Sequence, residues 1–375
     1  SINICSINFR NMTSKKEFID PWSSDIPEDY LETIKKFGLE KFNVKDFPNP
    51  NIHMRRATVV AGRDLKIIIK AIKEKKKYYA LTGFMPSSSK LHLGNKVTVD
   101  NMVYFQNQNA KTYILIADLE SNATRKISYE QAKKSALEYF IPTYIALGID
   151  HKKTFFYFQS ENKKVTKLMF ELSSRATLNE YRSIYGNTEP NRIISSLLQT
   201  ADILFPQVHE EKMPGIIPVG IDQDPHIRLS RDIARREGEN KFFLPSAIEH
   251  KFTPALDGSL KMSKSKANAI ELPDTDENIE TSVRKALTGG RETAEIQRKK
   301  GGFPDKCMVF ELYKQHLIED DNELNAIYKD CKTGKILCGS CKQNCIDHLK
   351  KFMRDFKEKF EKAKHQVSSI KFVED

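Results

Sequence analysis

The sequence lacks both common signatures of a glycine-rich phosphate loop. Neither G-x-x-x-x-G-K-[ST] nor G-x-G-x-x-G occurs in its 375 residues, and these are the spacings by which such loops cradle a nucleotide's phosphates. It also lacks any apolar run near the ~20 residues of a membrane-spanning helix, so no membrane partner is expected. The stretch SINICSINFRNMTSKK shows neither the apolar centre of a secretory signal nor a clear arginine-rich amphipathic pattern, and a cytoplasmic protein is expected. Tryptophan occurs once, as Trp22. Cysteine is scarce too: six residues in a cytosolic chain argue against a disulfide framework, yet five of the six fall between Cys307 and Cys345.

What is present is an ordinary globular composition. Hydrophobic residues make up 39% and charged residues 30%, enough to bury a core, and the length allows two or three domains. A net charge of +11 fits a polyanion partner such as nucleic acid, and it fits a lysine-rich solvated surface equally well.

From residue 64 the pattern becomes regular. DLKIIIKAIKEKKK, 64–77, predicts an amphipathic helix capped by Asp64. The apolar run Tyr78–Leu81 leads through the loop TGFMPSSSKLHLGNK, 82–96, into a helix to about Gln108. That helix carries Val97, Val99, Met102, Val103 and Phe105 as its apolar positions. Strands are expected at Tyr113–Ala117, Phe155–Phe158 and Ile216–Val219, with a helix over 128–147. Short continuous apolar strands alternating with helices imply a buried parallel sheet. In such sheets ligands bind beyond the carboxyl ends of the strands, where His92, Asp118, Glu120, Asp222 and Gln223 fall. After about 270 strand signals cease, and helices of mixed charge are expected at 276–287, 306–318, 322–330 and 341–365. In the last, Leu349, Phe352, Met353, Phe356 and Phe360 recur at helical spacing as core contacts.

One pairing carries the chemistry. KMSKS stands at 261–265, after Asp257-Gly258, and P-S-x-x-x-L-H-L-G-N stands upstream at 86–95. Lysines three apart on a glycine-adjacent loop suit an anionic leaving group whose charge grows in the transition state. Taken alone, KMSKS is equally one more lysine-rich loop. Together the two elements resemble the KMSKS and HIGH signatures of class I aminoacyl-tRNA synthetases. DPW at 20–22, GFMPSS at 83–88, IDQDP at 221–225 and GGR at 289–291 narrow the likeness to the eukaryotic and archaeal branch of the tryptophanyl-tRNA synthetases. It extends along nearly the whole chain.

The resemblance implies an α/β fold, a Rossmann-like doubly wound parallel sheet with an all-helical C-terminal domain. It divides the chain into an N-terminal flap at 1–50, a catalytic domain at 51–268, a helical anticodon-binding domain at 269–365 and a tail at 366–375 returning to the catalytic domain. Trp22 would belong to a flap closing over the adenylate. The implied substrates are L-tryptophan, ATP with Mg2+, and tRNA(Trp), and the implied assembly is a homodimer. His92, Asn95, Lys261 and Lys264 would be catalytic. Thr82, Gly83, Ser87, His92, Gly94, Gly220, Asp222, Lys261, Met262 and Ser263 would bind ATP. The HIGH element normally ends in a second histidine; Asn95 replaces it here, able to donate a hydrogen bond but not to carry charge.

Amino-acid choice separates tryptophan from tyrosine. Tyrosine enzymes hold the phenol with a tyrosine two residues before the loop glycine and an aspartate in a Q-x-x-D element; here the first position is Leu81, and the second element is present at Gln199–Asp202. Eukaryotic tryptophan enzymes use a tyrosine at the Leu81 position and a glutamine on the strand Tyr113–Ala117, and neither stands in this chain. The stretch Gln199-Thr200-Ala201-Asp202-Ile203-Leu204 resembles bacterial tryptophan enzymes, in which the aspartate accepts the indole N–H. Asp202 is therefore the expected indole reader, with Leu81 as apolar wall and Gln199, Gln223 and Glu120 on the substrate's ammonium or carboxylate. Taken alone, Asp202 reads more readily as a helix-surface or capping carboxylate, and the matching pocket reverses that. Cys307, Cys331, Cys338 and Cys341 match, one residue longer in the long gap, a quartet that holds a [4Fe–4S] cluster in some tryptophanyl enzymes; Zn2+ and plain buried thiols are the alternatives. A tyrosyl-tRNA synthetase, an inactive nucleic-acid-binding paralogue and a small-molecule nucleotidyltransferase are the competing functions.

Overall fold

The structure, a computed structural model, describes residues 30–87, 90–186, 189–238, 240–262 and 269–374. Trp22, Ser263, Lys264 and Ser265 lie outside the described residues.

Nine strands are described: β1 (Glu40–Lys41), β2 (Val59–Arg63), β3 (Tyr79–Phe84), β4 (Leu91–His92), β5 (Lys111–Ile116), β6 (Thr154–Phe158), β7 (Gly215–Gly220), β8 (Ser246–His250) and β9 (Glu271–Leu272). Seven form one sheet in the order β1-β2-β8-β7-β3-β5-β6. From β8 to β6 every neighbouring pair is parallel, giving a Rossmann-like doubly wound sheet. One apolar core covers each face: Ile68, Met102, Phe105 and Phe140 on one side, Leu198, Leu204, Phe205 and Ile233 on the other. β3 and β5 read as nearly unbroken apolar runs because they are buried on both faces.

Several elements differ from the sequence reading. β2 pairs antiparallel with β8, and β1 with β2, so one edge is not parallel. β8 ends in Glu249 and His250, both buried, and these polar residues hid it. Asp64 does not cap its helix through its side chain. The helix runs Leu65–Lys73, and Asp64 sits at φ 52 with no side-chain cap. A cap residue must be extended for its carboxylate to reach back to the next amides; here the carboxylate meets Arg231 at 3.3 Å. The predicted 128–147 helix is interrupted by a π segment, Ala136–Phe140. Helices Lys163–Ser173, Leu178–Tyr185 and Pro190–Leu204 fill the stretch between β6 and β7.

The C-terminal region is helical except for β9, whose two residues pair with β4 and so depart from the all-helical expectation; it ends in the 29-residue helix Cys338–Gln366. Its core joins Phe310, Tyr313, Leu349 and Met353 to Leu93 and Met262. Phe352 is only half-buried, with the Lys96 ammonium 5.9 Å from its ring. Arg55 and Arg56 both pair with Asp321, and Arg56 also donates to the Lys314 and Ile318 carbonyls. The last segment returns to the sheet, where Val373 N–H donates to the Phe156 carbonyl at 2.8 Å.

Candidate active site

The loop after β3 crosses to β4, which pairs with β9 and starts the helix Leu93–Asn107. His92 is the N-cap. Its Nδ1 accepts from Gly94 N–H at 3.1 Å, and its own N–H donates to Asn95 Oδ1 at 3.0 Å. This reciprocal box satisfies two amides of the first turn. Because Nδ1 accepts, the neutral imidazole carries its proton on Nε2. The replacement of the second HIGH histidine thus has a local function: the Asn95 carbonyl oxygen fixes the cap, leaving its NH2 as the donor. Gly94 is required by closeness, since a Cβ there would stand 2.9 Å from the His92 ring.

Two cavities adjoin at this point. The larger, of about 380 Å3, lies over the C-terminal ends of β3, β5 and β7. Its lining includes Leu81, Thr82, Gly83, Glu120, Gln199 and Asp202. The smaller, of about 190 Å3, is lined by His92, Gly94, Asp222, His250, Lys261 and Met262 among others. Asn95, Thr98, Gly220 and Gln223 line both. A Cβ at Gly220 would stand 2.7 Å from Asp222 Oδ1, so glycine is needed for the passage between them. Ser87 lines neither cavity; its carbonyl accepts from Ser135 Oγ at 2.9 Å.

Lys261 meets Asp222 Oδ2 at 3.0 Å, and its ammonium stands 4.5 Å from the Phe252 ring centroid. His250 donates from Nδ1 to the Lys251 carbonyl at 2.8 Å, so its Nε2 accepts from Thr98 Oγ1 at 2.9 Å. Burial holds its pKa down at about 4, and that of His226, 3.0 Å from Tyr185 Oη, at about 3. Both rings are neutral at physiological pH.

In the larger cavity the carboxyls are buried. Glu120 accepts from Gln159 Nε2 at 3.0 Å and Gln199 Nε2 at 2.8 Å. Asp202 accepts from Tyr157 Oη at 2.9 Å and Gln159 Nε2 at 2.7 Å. Burial pushes both carboxyls up, most strongly Asp202, where the nearby Glu120 charge adds to the effect and the Gln159 and Tyr157 donors oppose it. A pocket of this kind presents acceptors to ligand N–H groups inside an apolar wall.

Sequence reasoning missed Thr98, Tyr157, Gln159, His250 and Phe252. Gln159 was the most findable, as the first polar residue after the apolar run of β6 at its C-terminal end, where such sheets bind ligands. Thr98 and Phe252 carry no signal of their own.

Among the described residues, no three His, Cys, Asp or Glu side chains converge on one metal position, and Cys307, Cys331, Cys338 and Cys341 are free thiols. They are nevertheless neighbours. Burial and then the charges of Cys307 and Cys338 push the Cys331 thiol up to about 11; burial and the same cluster push Cys341 up to about 12. Gly290 and Gly302 abut the group: a Cβ would come 2.9 Å from Cys338 Sγ and 3.0 Å from Cys331 Sγ respectively.

The family model for tRNA synthetases class I (W and Y) matches residues 73–354. A tryptophan–tRNA ligase of Methanocaldococcus jannaschii is 41% identical, over 94% of this chain and 97% of the relative. One from Aeropyrum pernix is 40% identical over 93% and 96%. The crystal structure of tryptophanyl-tRNA synthetase from Aeropyrum pernix superposes with a TM-score of 0.85 at 40% identity, covering 94% of this chain and 98% of that one. The Plasmodium falciparum enzyme superposes at 0.82 with 27% identity, over 90% and 97%. No described helix is long and apolar enough to cross a membrane.

Proposed function

Because the chain belongs to the class I tRNA synthetases of the tryptophan and tyrosine group, we propose that it is a tryptophan–tRNA ligase, joining tryptophan to AMP from ATP and then esterifying tRNA(Trp). The observation that carries the choice of amino acid is the larger cavity. Leu81 forms part of its wall and Asp202 stands buried in it. A tyrosine phenol is itself a donor and acceptor and would find no second polar partner at the Leu81 position.

In this reading Asp202 accepts the indole N–H, Glu120 faces the ammonium, and Gln199 and Gln223 hold the amino-acid backbone. The smaller cavity takes the nucleotide at the start of the Leu93–Asn107 helix, where backbone amides favour phosphate. His92 Nε2–H and the Asn95 NH2 donate to phosphate or ribose oxygens. Lys261 and Lys264 stabilise pyrophosphate as it departs. Magnesium brought by the nucleotide would supply neutralisation of phosphate charge. The carboxylate of tryptophan attacks the α-phosphorus and pyrophosphate leaves as the bond to its bridging oxygen breaks; the ribose 2′-hydroxyl of tRNA then attacks the acyl carbon, giving up its proton to the phosphate of the departing AMP. No protein nucleophile is needed; the protein contributes position and electrostatics.

The helical region from 269 would bind the anticodon, with Arg291 stacked at 3.8 Å on the half-exposed Phe303 ring. A homodimer in the cytoplasm is the expected state. Its support is the family resemblance. The thiol quartet would suit a [4Fe–4S] cluster by its likeness to the family pattern, with Cys338 and Cys331 lying against Gly290 and Gly302. Protein prepared without oxygen should carry iron and acid-labile sulfide, and the Cys338→Ser chain much less; stoichiometric zinc without iron would sink the cluster.

The function is tested by amino-acid-dependent ATP–pyrophosphate exchange with tryptophan and tyrosine in parallel. Exchange with tryptophan only is expected. Exchange with tyrosine would overturn the specificity reading, and no exchange with either would favour an inactive paralogue.

A further inference from the structure

Glu120 and Asp202 do not stand independently in the larger cavity. Gln159, fully buried at the end of β6, places its single amide nitrogen between them, 3.0 Å from Glu120 Oε1 and 2.7 Å from Asp202 Oδ2. Their outer oxygens are taken by Gln199 Nε2 and Tyr157 Oη. The five side chains therefore form one continuous network: Gln199, Glu120, Gln159, Asp202, Tyr157. Every donor in it is a neutral amide or phenol. A further carboxylate acting on Asp202, Asp118, is occupied by Ser160 through its N–H at 3.0 Å and its hydroxyl. The Gln159 carbonyl oxygen has no partner.

Two carboxyls joined through one amide, and with no cation paired to either among the described residues, resist being ionised together, since burying unpaired negative charge is costly. A ligand ammonium against Glu120 supplies the missing positive charge. Only then does Asp202 become a full carboxylate with an oxygen able to accept a further N–H. We propose that Gln159 is a positioning residue for substrate choice, tying Glu120 and Asp202 into one unit so that the ammonium and the ring N–H of the amino acid are recognised together. The proposal rests on the tryptophan reading above and adds to it a coupling between the two ends of the substrate. A ligand carrying the N–H but no ammonium would gain little from it.

The test is a cycle of four ligands: L-tryptophan, its benzothienyl analogue lacking the ring N–H, indole-3-propionate lacking the ammonium, and benzothiophene-3-propionate lacking both. Their Kd values are measured on the wild-type chain and on Gln159→Glu. Glutamate is isosteric, but when protonated it has one O–H donor instead of two N–H donors, so it serves one carboxyl at a time. On the wild type, removing the N–H should weaken binding roughly tenfold or more when the ammonium is present and under about threefold when it is absent. On Gln159→Glu the two ratios should become equal. Equal ratios on the wild type, which needs no variant to fold, would overturn the proposal. A Gln159→Glu chain that keeps unequal ratios while losing kcat and KM alike would overturn it too, leaving a structural role. If the wild type binds no tryptophan at all, the function reading falls first and the coupling with it.

Discussion

Replacing Lys261 by alanine is expected to lower tryptophan-dependent pyrophosphate exchange by about 10²–10³-fold, the scale for removing one preorganised charge from a developing anion. The geometry adds a second expectation. Lys261 pairs with Asp222 at 3.0 Å and covers the Phe252 ring, so without it the cavity wall presents an unpaired, nearly buried carboxylate. That charge repels a triphosphate, and the KM for ATP should rise together with the fall in kcat. Adding Asp222→Asn to Lys261→Ala should restore the ATP KM and leave kcat low, because the repulsion is gone but pyrophosphate still departs without its cation. Steady-state exchange with varied ATP separates the two. A Lys261→Ala chain within threefold of wild type would exclude this lysine from the chemistry, and a double variant with unchanged ATP KM would exclude the repulsion.

Asp202→Asn is expected to lower kcat/KM for tryptophan by about 10²–10³-fold, with the KM for ATP hardly moved. A site built around one hydrogen bond loses this much when its own buried groups are left mismatched. Asp202 accepts from a donor on each side, Tyr157 Oη and Gln159 Nε2. An asparagine must turn its NH2 toward one of them. Facing Gln159, it sets two amide donors against each other; facing Tyr157, it forces the phenol to become an acceptor and leaves the pocket one acceptor fewer. The fold should persist, because the side chain keeps its shape, and circular dichroism would check that. Tyrosine should gain nothing, since Leu81 stays an apolar wall. Wild-type affinity for tryptophan in this variant would move the indole reader elsewhere in the cavity, with Glu120 or Gln223 next in line.

The residues behind both expectations differ in how far the sequence revealed them. Lys261 and Asp202 stand in local motifs, and local spacing sets what such elements can be: KMSKS a loop with two lysines, ADIL a helical turn with one aspartate. The parallel strands were equally legible, because a strand buried on both faces must be apolar throughout. β8 was not, since two buried polar residues, Glu249 and His250, end it, and the partner that accommodates His250, Thr98, comes from another element. The Asp64 cap failed for a related reason. Residue type favours a cap, but the backbone entering from β2 arrives at φ 52, which no local preference of aspartate foretells.

Asn95 marks the boundary between the two kinds of knowledge. Its place three residues after His92 was visible as a departure from a signature, and only the structure assigned its oxygen to the His92 amide. Gln159 lies further beyond that boundary. The sequence by itself determined the alternation of strands and helices, the signature loop and lysines, and the candidate readers at the strand ends, because each depends on neighbours within a few positions. Tertiary structure alone decided that Glu120 and Asp202, 82 positions apart in numbering, share one donor; that Lys261 rests on Asp222; and that four spaced cysteines are neighbours. Those contacts join elements whose mutual placement follows from packing of the whole core, and a buried polar group's partner is fixed by which other buried group that packing brings within about 3 Å.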